Sequence, residues 1–569
     1  MSLFCIIALL GAETVDLQTL VNDCPAGSCT IKLEKKYYTA NKINVNNLNL
    51  IIEASEECYL DLSKQTNPAF VLAGSTLKIT KVTINLSPTA VLVDARNDSK
   101  VELENCSFLG RTLSKALVYG AKSSLTLTSM TLSGRILKSS LIEADPAVDD
   151  PDLSITLDKC DFLSLEAATS KPIVSGERIL KTTFLNSSFS SIKCTDTGPL
   201  PATTDNIPGR EVRVVNSNIT YCKGPLSGLL TFGVQASKLY MANVFYINNA
   251  NSVRFSDCVS FTPNSVVEIL YVTAKGSFTT DLWPSGGFLY LPYTTTTLTI
   301  NNTRFDDNPA TEHGGSIYIA TEKTVALNTI IASSCVAGKD GGFLYFAGHG
   351  TLDFYCVNMT ANRAKQNGGS LFLADYDKLN VYAGAMINCS AGENGGAVAL
   401  TLQKGASTTF NIVAFVNNEA TGGLGKDVLA TKGEKGKKLS KSAFVKCTSS
   451  TNNPKVTLMP EQAHFDWSNN LATTLKNWII FIVVVVIVVI VLSIVLPCIC
   501  CCCGCCAACV GAHKENKMKY SHVESQPNYG TGYSGAGSSG TGYPGAGSSG
   551  TGYPGAGYSS TVQTSTYKD

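Results

Sequence analysis

The stretch Gly314-Gly315-Ser316-Ile317-Tyr318-Ile319 decides the fold, because the chain returns to its pattern at near-equal intervals. Paired glycines stand at Gly286-Gly287, Gly314-Gly315, Gly341-Gly342, Gly368-Gly369, Gly395-Gly396 and Gly422-Gly423, with spacings of 28, 27, 27, 27 and 27 residues. Each of the first five pairs opens a short apolar strand signal, as in Phe288-Leu289-Tyr290-Leu291, Phe343-Leu344-Tyr345-Phe346, Ser370-Leu371-Phe372-Leu373 and Ala397-Val398-Ala399-Leu400. A second strand signal follows within the unit, as in Thr297-Leu298-Thr299-Ile300, Leu352-Asp353-Phe354-Tyr355 and Leu379-Asn380-Val381-Tyr382. A unit of this size with short strands, no helical period and a glycine-marked corner is one coil of a parallel β-helix. Stacking puts equivalent residues in ladders about 4.8 Å apart. The glycines then serve a corner that needs positive φ or close backbone approach. Leucine-rich repeats would need a Leu/Asn frame, and a propeller about 40 residues per blade. A β-sandwich with chance glycines does not account for the equal spacing.

Residues 13–240 lack the glycine pairs but keep alternating strands at Lys100-Val101-Glu102-Leu103-Glu104, Ser124-Leu125-Thr126-Leu127-Thr128 and Leu153-Ser154-Ile155-Thr156-Leu157. Their intervals, from Val101 to Leu125 to Ile155, are 24 and 30 residues. We read 13–240 as coils of the same β-helix with degenerate corners and 241–430 as its regular part. Stacked end to end, the two parts predict about 16 coils and a rod about 75 Å long. The Lys-rich piece Lys432 to Lys446 breaks the period, so 431–477 reads as a cap and stalk.

The ends predict a compartment. The run Leu3-Phe4-Cys5-Ile6-Ile7-Ala8-Leu9-Leu10, followed by Gly11-Ala12 and Glu13, reads as a signal peptide over 1–12, with a buried N-terminal strand as the alternative. Trp478 to Leu496 is an uncharged stretch of 19 residues, about 28 Å long as a helix, which matches a bilayer core. Lys514, Lys517 and Lys519 follow it and only Lys476 flanks its other side, which places the C-terminal side in the cytoplasm. The expected topology is a type I single-pass protein of the plasma membrane, with an extracellular ectodomain and a cytoplasmic tail over 497–569. Sequons at Asn85, Asn97, Asn105, Asn186, Asn218, Asn301, Asn358 and Asn388 all precede the span; Pro88 weakens the first, which leaves seven as expected N-glycosylation sites.

Of 21 cysteines, twelve lie between Cys24 and Cys447. They permit disulfides in an oxidising compartment, Cys24 and Cys29 being the best local pair, or buried free thiols. Eight more crowd into 498–509. Among them Cys500, Cys501, Cys502, Cys503, Cys505 and Cys506 lie just inside the predicted membrane face, where S-palmitoylation is the favoured reading and thiolate metal binding the alternative.

The charges nearly cancel, with 45 Lys+Arg against 44 Asp+Glu, and charged residues are 16% of the whole. That excludes the extended basic surface a nucleic-acid binder needs. Enzymatic chemistry on a β-helix needs converging carboxylates. Asp149-Asp150 sits in a Pro- and Asp-rich loop, Asp306-Asp307 at the start of a corner, and His313, His349 and His464 stand apart in sequence. No serine elbow, HExxH motif or phosphate loop occurs. We expect no catalytic residues, metal or cofactor. A polysaccharide lyase or hydrolase is a remaining alternative, on the ground that such folds host them.

The segment Asn301-Asn302-Thr303-Arg304-Phe305-Asp306-Asp307-Asn308, running into Gly314-Gly315-Ser316-Ile317, resembles the paired FxxN and GG[AS][ILV] motifs of the chlamydial polymorphic membrane proteins. Further FxxN matches are Phe245 to Asn248 and Phe415 to Asn418; further GG matches are Gly368-Gly369-Ser370-Leu371 and Gly395-Gly396-Ala397-Val398. The resemblance spans roughly residues 240–430, and it departs where Phe288 and Phe343 replace the small residue and where several coils lack the first Phe. With a single helical anchor in place of an outer-membrane barrel, the chain looks like the surface proteins of trichomonad parasites. The resemblance implies a candidate adhesin for host cells, with a host-cell or matrix protein or glycan as partner.

The tail repeats Thr531-Gly532-Tyr533-Ser534-Gly535-Ala536-Gly537-Ser538-Ser539-Gly540 with small changes, a composition that does not pack a core and is expected to be disordered. Tyr520-Ser521-His522-Val523 fits the YxxΦ sorting signal, so Tyr520 and Val523 would engage a clathrin adaptor. An endocytic or signalling receptor acting through this tail is the other functional alternative.

Overall fold

In a computed structural model of the chain, the described residues run from 14 to 458 with short gaps, of which 145–152, 195–209 and 256–265 are the longest. They form a parallel β-solenoid with almost no helix. Among the described residues every pairing between coils is parallel. The one α-helix among them, Leu17–Asn22, buries Leu17 and Val21 against the first coils; Asp16 caps it by accepting from Gln18 N at 3.1 Å. Among the described residues fifteen consecutive pairings link sixteen rungs of the long sheet, from Ser28–Leu33 to Phe444–Val445; at about 4.8 Å per rung this is a stack about 75 Å long, as expected.

Each coil crosses three faces. In the coil that opens at Gly314 these are Ile317–Thr321, Thr324–Ser333 and Val336–Ala337. The second crossing is one strand bent at its middle. The bend is a left-handed residue repeated once per coil, as at Lys81, Asn105, Ser129, Lys159, Asn186, Asn216, Asn243, Tyr271, Asn302, Thr329, Cys356, Ala383, Ile412 and Lys446. A second left-handed residue, such as Asn248, Asp307, Ser334, Ala361, Asn388 or Asn417, turns the chain onto the third face.

The N-terminal strands pair in the register their alternation predicts, Val101 with Leu125 and Leu125 with Ile155. The long sheet continues without interruption through Phe245–Ile247, Thr273–Lys275 and Thr297–Asp306, so both halves share one stack. Inward residues alternate with outward ones along each strand, and Leu, Ile, Val and Phe fill the axis.

The glycine pair divides its work. The first member takes the positive φ, +60 to +68° at Gly286, Gly314, Gly341, Gly368 and Gly395. The second admits the next coil: a Cβ on Gly342 would lie 2.0 Å from the Gly369 carbonyl oxygen, and one on Gly369 2.0 Å from that of Gly396. The sixth pair is a correction. Val398 pairs with Val428, so Gly425, with φ +72°, occupies the rung that Gly422 was expected to hold. Gly395 to Gly425 is 30 residues rather than 27: two of the extra residues lie between Leu400 and Ser407 and one between Ala420 and Gly425, beside Gly422-Gly423.

The stack also runs past the expected end at 430. Phe444–Val445 and Thr448–Ser449 pair with the strand Ser407–Val416, Val456–Leu458 pairs with Val428–Lys432, and Phe444 stacks on Phe410 at 5.1 Å.

Candidate functional site

The repeat motifs point inward. Just past the second bend, one buried position per coil holds Cys222, Asn249, Ser277, Asn308, Cys335, Asn362, Cys389 and Asn418. Each asparagine donates from Nδ2 to a carbonyl of the preceding coil: Asn249 to Ile219 at 2.8 Å, Asn308 to Ala274 at 3.0 Å, Asn362 to Ala332 at 3.2 Å and Asn418 to Met386 at 3.0 Å. Each Oδ1 accepts the N–H of its own rung one coil earlier, at 2.9 Å from Cys222 and Ser277 and 3.0 Å from Cys335 and Cys389. The thiols in between donate to a carbonyl of the preceding coil, Cys335 to Phe305 O at 3.7 Å and Cys389 to Met359 O at 3.5 Å, and accept a hydroxyl, from Ser316 and Ser370, each at 3.0 Å. A buried main-chain group left alone is costly, and one amide on every second coil satisfies two coils. The FxxN motif is therefore a two-coil pattern.

The neighbouring ladder follows the same alternation. Asn308 donates to the Ser316 hydroxyl at 3.1 Å, Asn362 to Ser370 at 3.2 Å and Asn418 to the Asp427 carboxylate at 3.0 Å. Beside the Ser or Cys rungs stand Phe288, Phe343 and Ala397, all fully buried. The phenylalanines that depart from the small-residue motif are its apolar half.

Phe305 and Phe415 are buried as expected, but Phe245 is 52% exposed. Phe245 pairs with Thr273, the partner of Arg304, so Tyr246 fills the Phe305 rung and Asn249, not Asn248, is the buried amide. Asn248 is the bend residue, with φ +52°. Two adjacent aromatics hid a slip of one residue, which exchanges inside for outside.

The cysteines resolve into both alternatives. Cys24 and Cys29 form a disulfide, whereas Cys58, Cys106, Cys160, Cys222, Cys335 and Cys389 are free and buried on separate rungs. Burial pushes the thiols of Cys222 and Cys335 up to about 12.

Function therefore has to be sought outside. Of the sequons, Asn97, Asn105, Asn186, Asn218, Asn358 and Asn388 are exposed on the outer wall, and Asn85 and Asn301 half-buried. Asp306 is buried, with Arg304 and Ser333 bonded to its carboxylate, and Asp307 is an exposed bend residue. Exposed His349 lies 3.6 Å from Asp377. Asp149-Asp150, His464, the 1–12 segment, Trp478 to Leu496, the cysteine cluster at 498–509, Tyr520 and Val523 lie outside the described residues. Among the described residues no helix is long and apolar enough to cross a membrane, and no group of three metal-ligand side chains converges.

Two outer features were not visible in the sequence. Tyr290, Tyr318, Tyr345 and Phe372 stack rung on rung, with ring centroids 4.9, 5.1 and 5.2 Å apart. His313 lies 4.6 Å from the Tyr345 ring and turns Nδ1 towards Asp340, 3.3 Å away but without hydrogen-bond alignment. Asp340 accepts from Asn367 N at 3.1 Å and Nδ2 at 2.9 Å, while Ser285 Oγ accepts from the main-chain N–H of His313 at 3.3 Å. The order Ser285, His313, Asp340 resembles a proton relay, but that main-chain contact gives the hydroxyl no base.

The other feature is a concavity of about 280 Å³ on the face of two-residue strands, with Arg363 and Lys365 at its wall. These rungs are built by Val336–Ala337, Arg363–Ala364 and Ser390–Ala391, paired in register.

No family model matches the chain, and no curated protein matches it. A solved structure of the periplasmic alginate epimerase AlgG, in a point-mutant form, matches at 9% identity over 79% of this chain and 84% of that one, with a TM-score of 0.17.

Proposed function

We propose that this chain is a type I cell-surface protein whose extracellular β-helix acts as an adhesin, attaching to a host-cell or matrix protein or glycan and not turning it over. The observation that carries this reading is the division of labour in the solenoid. The repeated polar residues are consumed between coils, as with Asn308, Asn362 and Asn418, while cations, hydroxyls and aromatic edges repeat along the outer wall. A long stacked surface of this kind suits broad contact with another surface. The exposed sequons at Asn97, Asn105, Asn186, Asn218, Asn358 and Asn388 support an outer wall that meets the secretory lumen. The apolar Trp478 to Leu496 stretch would anchor it.

Cells displaying the full-length chain are expected to gain saturable attachment to host cells or immobilised glycans, with no breakdown of the bound material. Attachment equal to that of untransfected cells would sink the reading. Tyr520→Ala is expected to change the surface level and leave attachment per displayed molecule unchanged.

A further inference from the structure

The geometry points to the concavity at Arg363 and Lys365 as a binding trough for an acidic polysaccharide, an inference that rests on the adhesive reading and names its ligand class. Arg363 and Lys365 flank the buried Ala364, Arg363 within the two-residue strand Arg363–Ala364 and Lys365 just after it, so both cations leave the same coil on its outer side. The floor is a ladder of small residues, Ala337, Ala364 and Ala391, and Val336 adds an apolar rim. Gly392 lets the two rungs close up at the wall: a Cβ there would lie 2.1 Å from the Lys365 carbonyl oxygen. Ser390 and Thr421 bring hydroxyls to the same wall.

Charge selects the ligand. One coil earlier Lys339 is paired with Glu312, and on the adjoining face Arg304 with Asp306. Among the described residues neither Arg363 nor Lys365 has an ion-pair partner. Two uncompensated cations over an apolar floor favour an anion that also carries an apolar face, and a guanidinium matches a carboxylate or sulfate bidentately. Exposed Glu419, two rungs from Arg363, and exposed Glu393 set the limit of the anionic subsite towards the C-terminal end.

The same wall disfavours a peptide. Extended peptides bind by adding main-chain hydrogen bonds to a strand edge. Here the N–H groups of Arg363, Lys365, Ser390, Gly392 and Thr421 already donate to the preceding coil, at 2.8 to 3.1 Å. A polysaccharide needs no main-chain partner: its pyranose faces lie on the alanine floor, and its hydroxyls and acid groups meet the rim.

The test uses the purified full-length protein, immobilised by its C-terminus, with polygalacturonate, heparin and neutral dextran as probes. Retention of polygalacturonate or heparin but not dextran is expected, weakening as salt is raised. Preference between the two acidic polymers assigns carboxylate or sulfate as the recognised group. Arg363→Gln with Lys365→Gln should weaken binding at least about tenfold, while Lys378→Gln, on another face, should not. Matching thermal unfolding would confirm that all variants fold. Unchanged binding by the double variant, equal retention of dextran, or no retention of either acidic polymer overturns the trough. A chain that attaches to cells but ignores both polymers leaves adhesion standing without the trough. Polymer binding lost in the double variant, with no cell attachment, retains the trough and removes adhesion.

Discussion

Nδ2 of Asn362 donates to the hydroxyl of Ser370 across 3.2 Å, and that hydroxyl donates onward to Sγ of Cys389 at 3.0 Å. The amide thus ties three coils together, because it also holds the Cys335 N–H and the Ala332 carbonyl. Asn362→Leu leaves those main-chain groups buried and unpaired and should cost about 2–4 kcal/mol. Cys335→Ala removes one weak donor and one weak acceptor but leaves the main-chain bonds intact, and should cost about 1 kcal/mol. Denaturant midpoints of the two variants test the ranking, and equal losses would refute the two-coil account.

Glycines of the chain are not equivalent. Gly341 combines φ +68° with a Cβ position 2.3 Å from the Leu344 carbonyl oxygen, whereas Gly405, at φ +89°, has open space around its Cβ. Gly405→Ala should cost about 1 kcal/mol through backbone strain alone. Gly341→Ala should cost more than twice that, because main chain must move as well. A thermal melt of each variant decides, and equal shifts would contradict the crowding.

Thiol chemistry should separate one residue from the rest. Cys356 is exposed at a bend, while Cys222 and Cys335 are buried with their thiols raised to about 12. A maleimide at neutral pH should therefore modify Cys356 in the native protein and reach Cys222 and Cys335 only after unfolding. Peptide mapping reads this directly.

The same burial has a pH consequence. Cys222 and Cys335 hold their protons more tightly folded than unfolded, burial lifting them from the ordinary thiol value of 9.0, so the folded state binds more protons between about 9 and about 12. Their contribution to stability is intact below pH 9 and is lost as pH rises through that window. Replacing both with alanine should flatten the alkaline fall in unfolding midpoint; an identical fall would assign it to other groups.

Tyr318 stacks between Tyr290 and Tyr345 with interplanar angles of 21° and 3°. Tyr318→Ala removes two ring pairs and should cost about 1–3 kcal/mol beyond lost area. A double-mutant cycle with Tyr345→Ala measures the coupling, and additivity would mean that the stack contributes nothing of its own.

Much of the architecture was legible because alternation and spacing are local. Val101, Leu125 and Ile155 were read onto one ladder, and Phe305 with Asn308 into one corner, on patterns a few residues long. Where local pattern was ambiguous the reading slipped. Phe245-Tyr246 offers two aromatics to one inward site, and Gly422-Gly423 keeps a period of 27 by coincidence while three extra residues, spread over two turns of the chain, move the corner to Gly425. The alternation of Asn with Cys was illegible for a different reason: its members lie a coil apart and differ in kind, so no window of sequence contains the pattern. The trough was likewise hidden, since its depth comes from Ala337, Ala364 and Ala391 on successive coils and its cations look like any exposed Arg and Lys.

The amide ladder gives the solenoid a parity. Excising residues 341–367 would remove Asn362 and set Cys335 directly against Cys389, leaving the Cys335 N–H without the amide oxygen that accepts it. Excising 341–394 would instead bring Cys335 against Asn418, whose Oδ1 already serves a cysteine N–H. Length can change in this part of the molecule by even steps, so a lineage that lengthens or shortens its reach would be expected to do so two coils at a time.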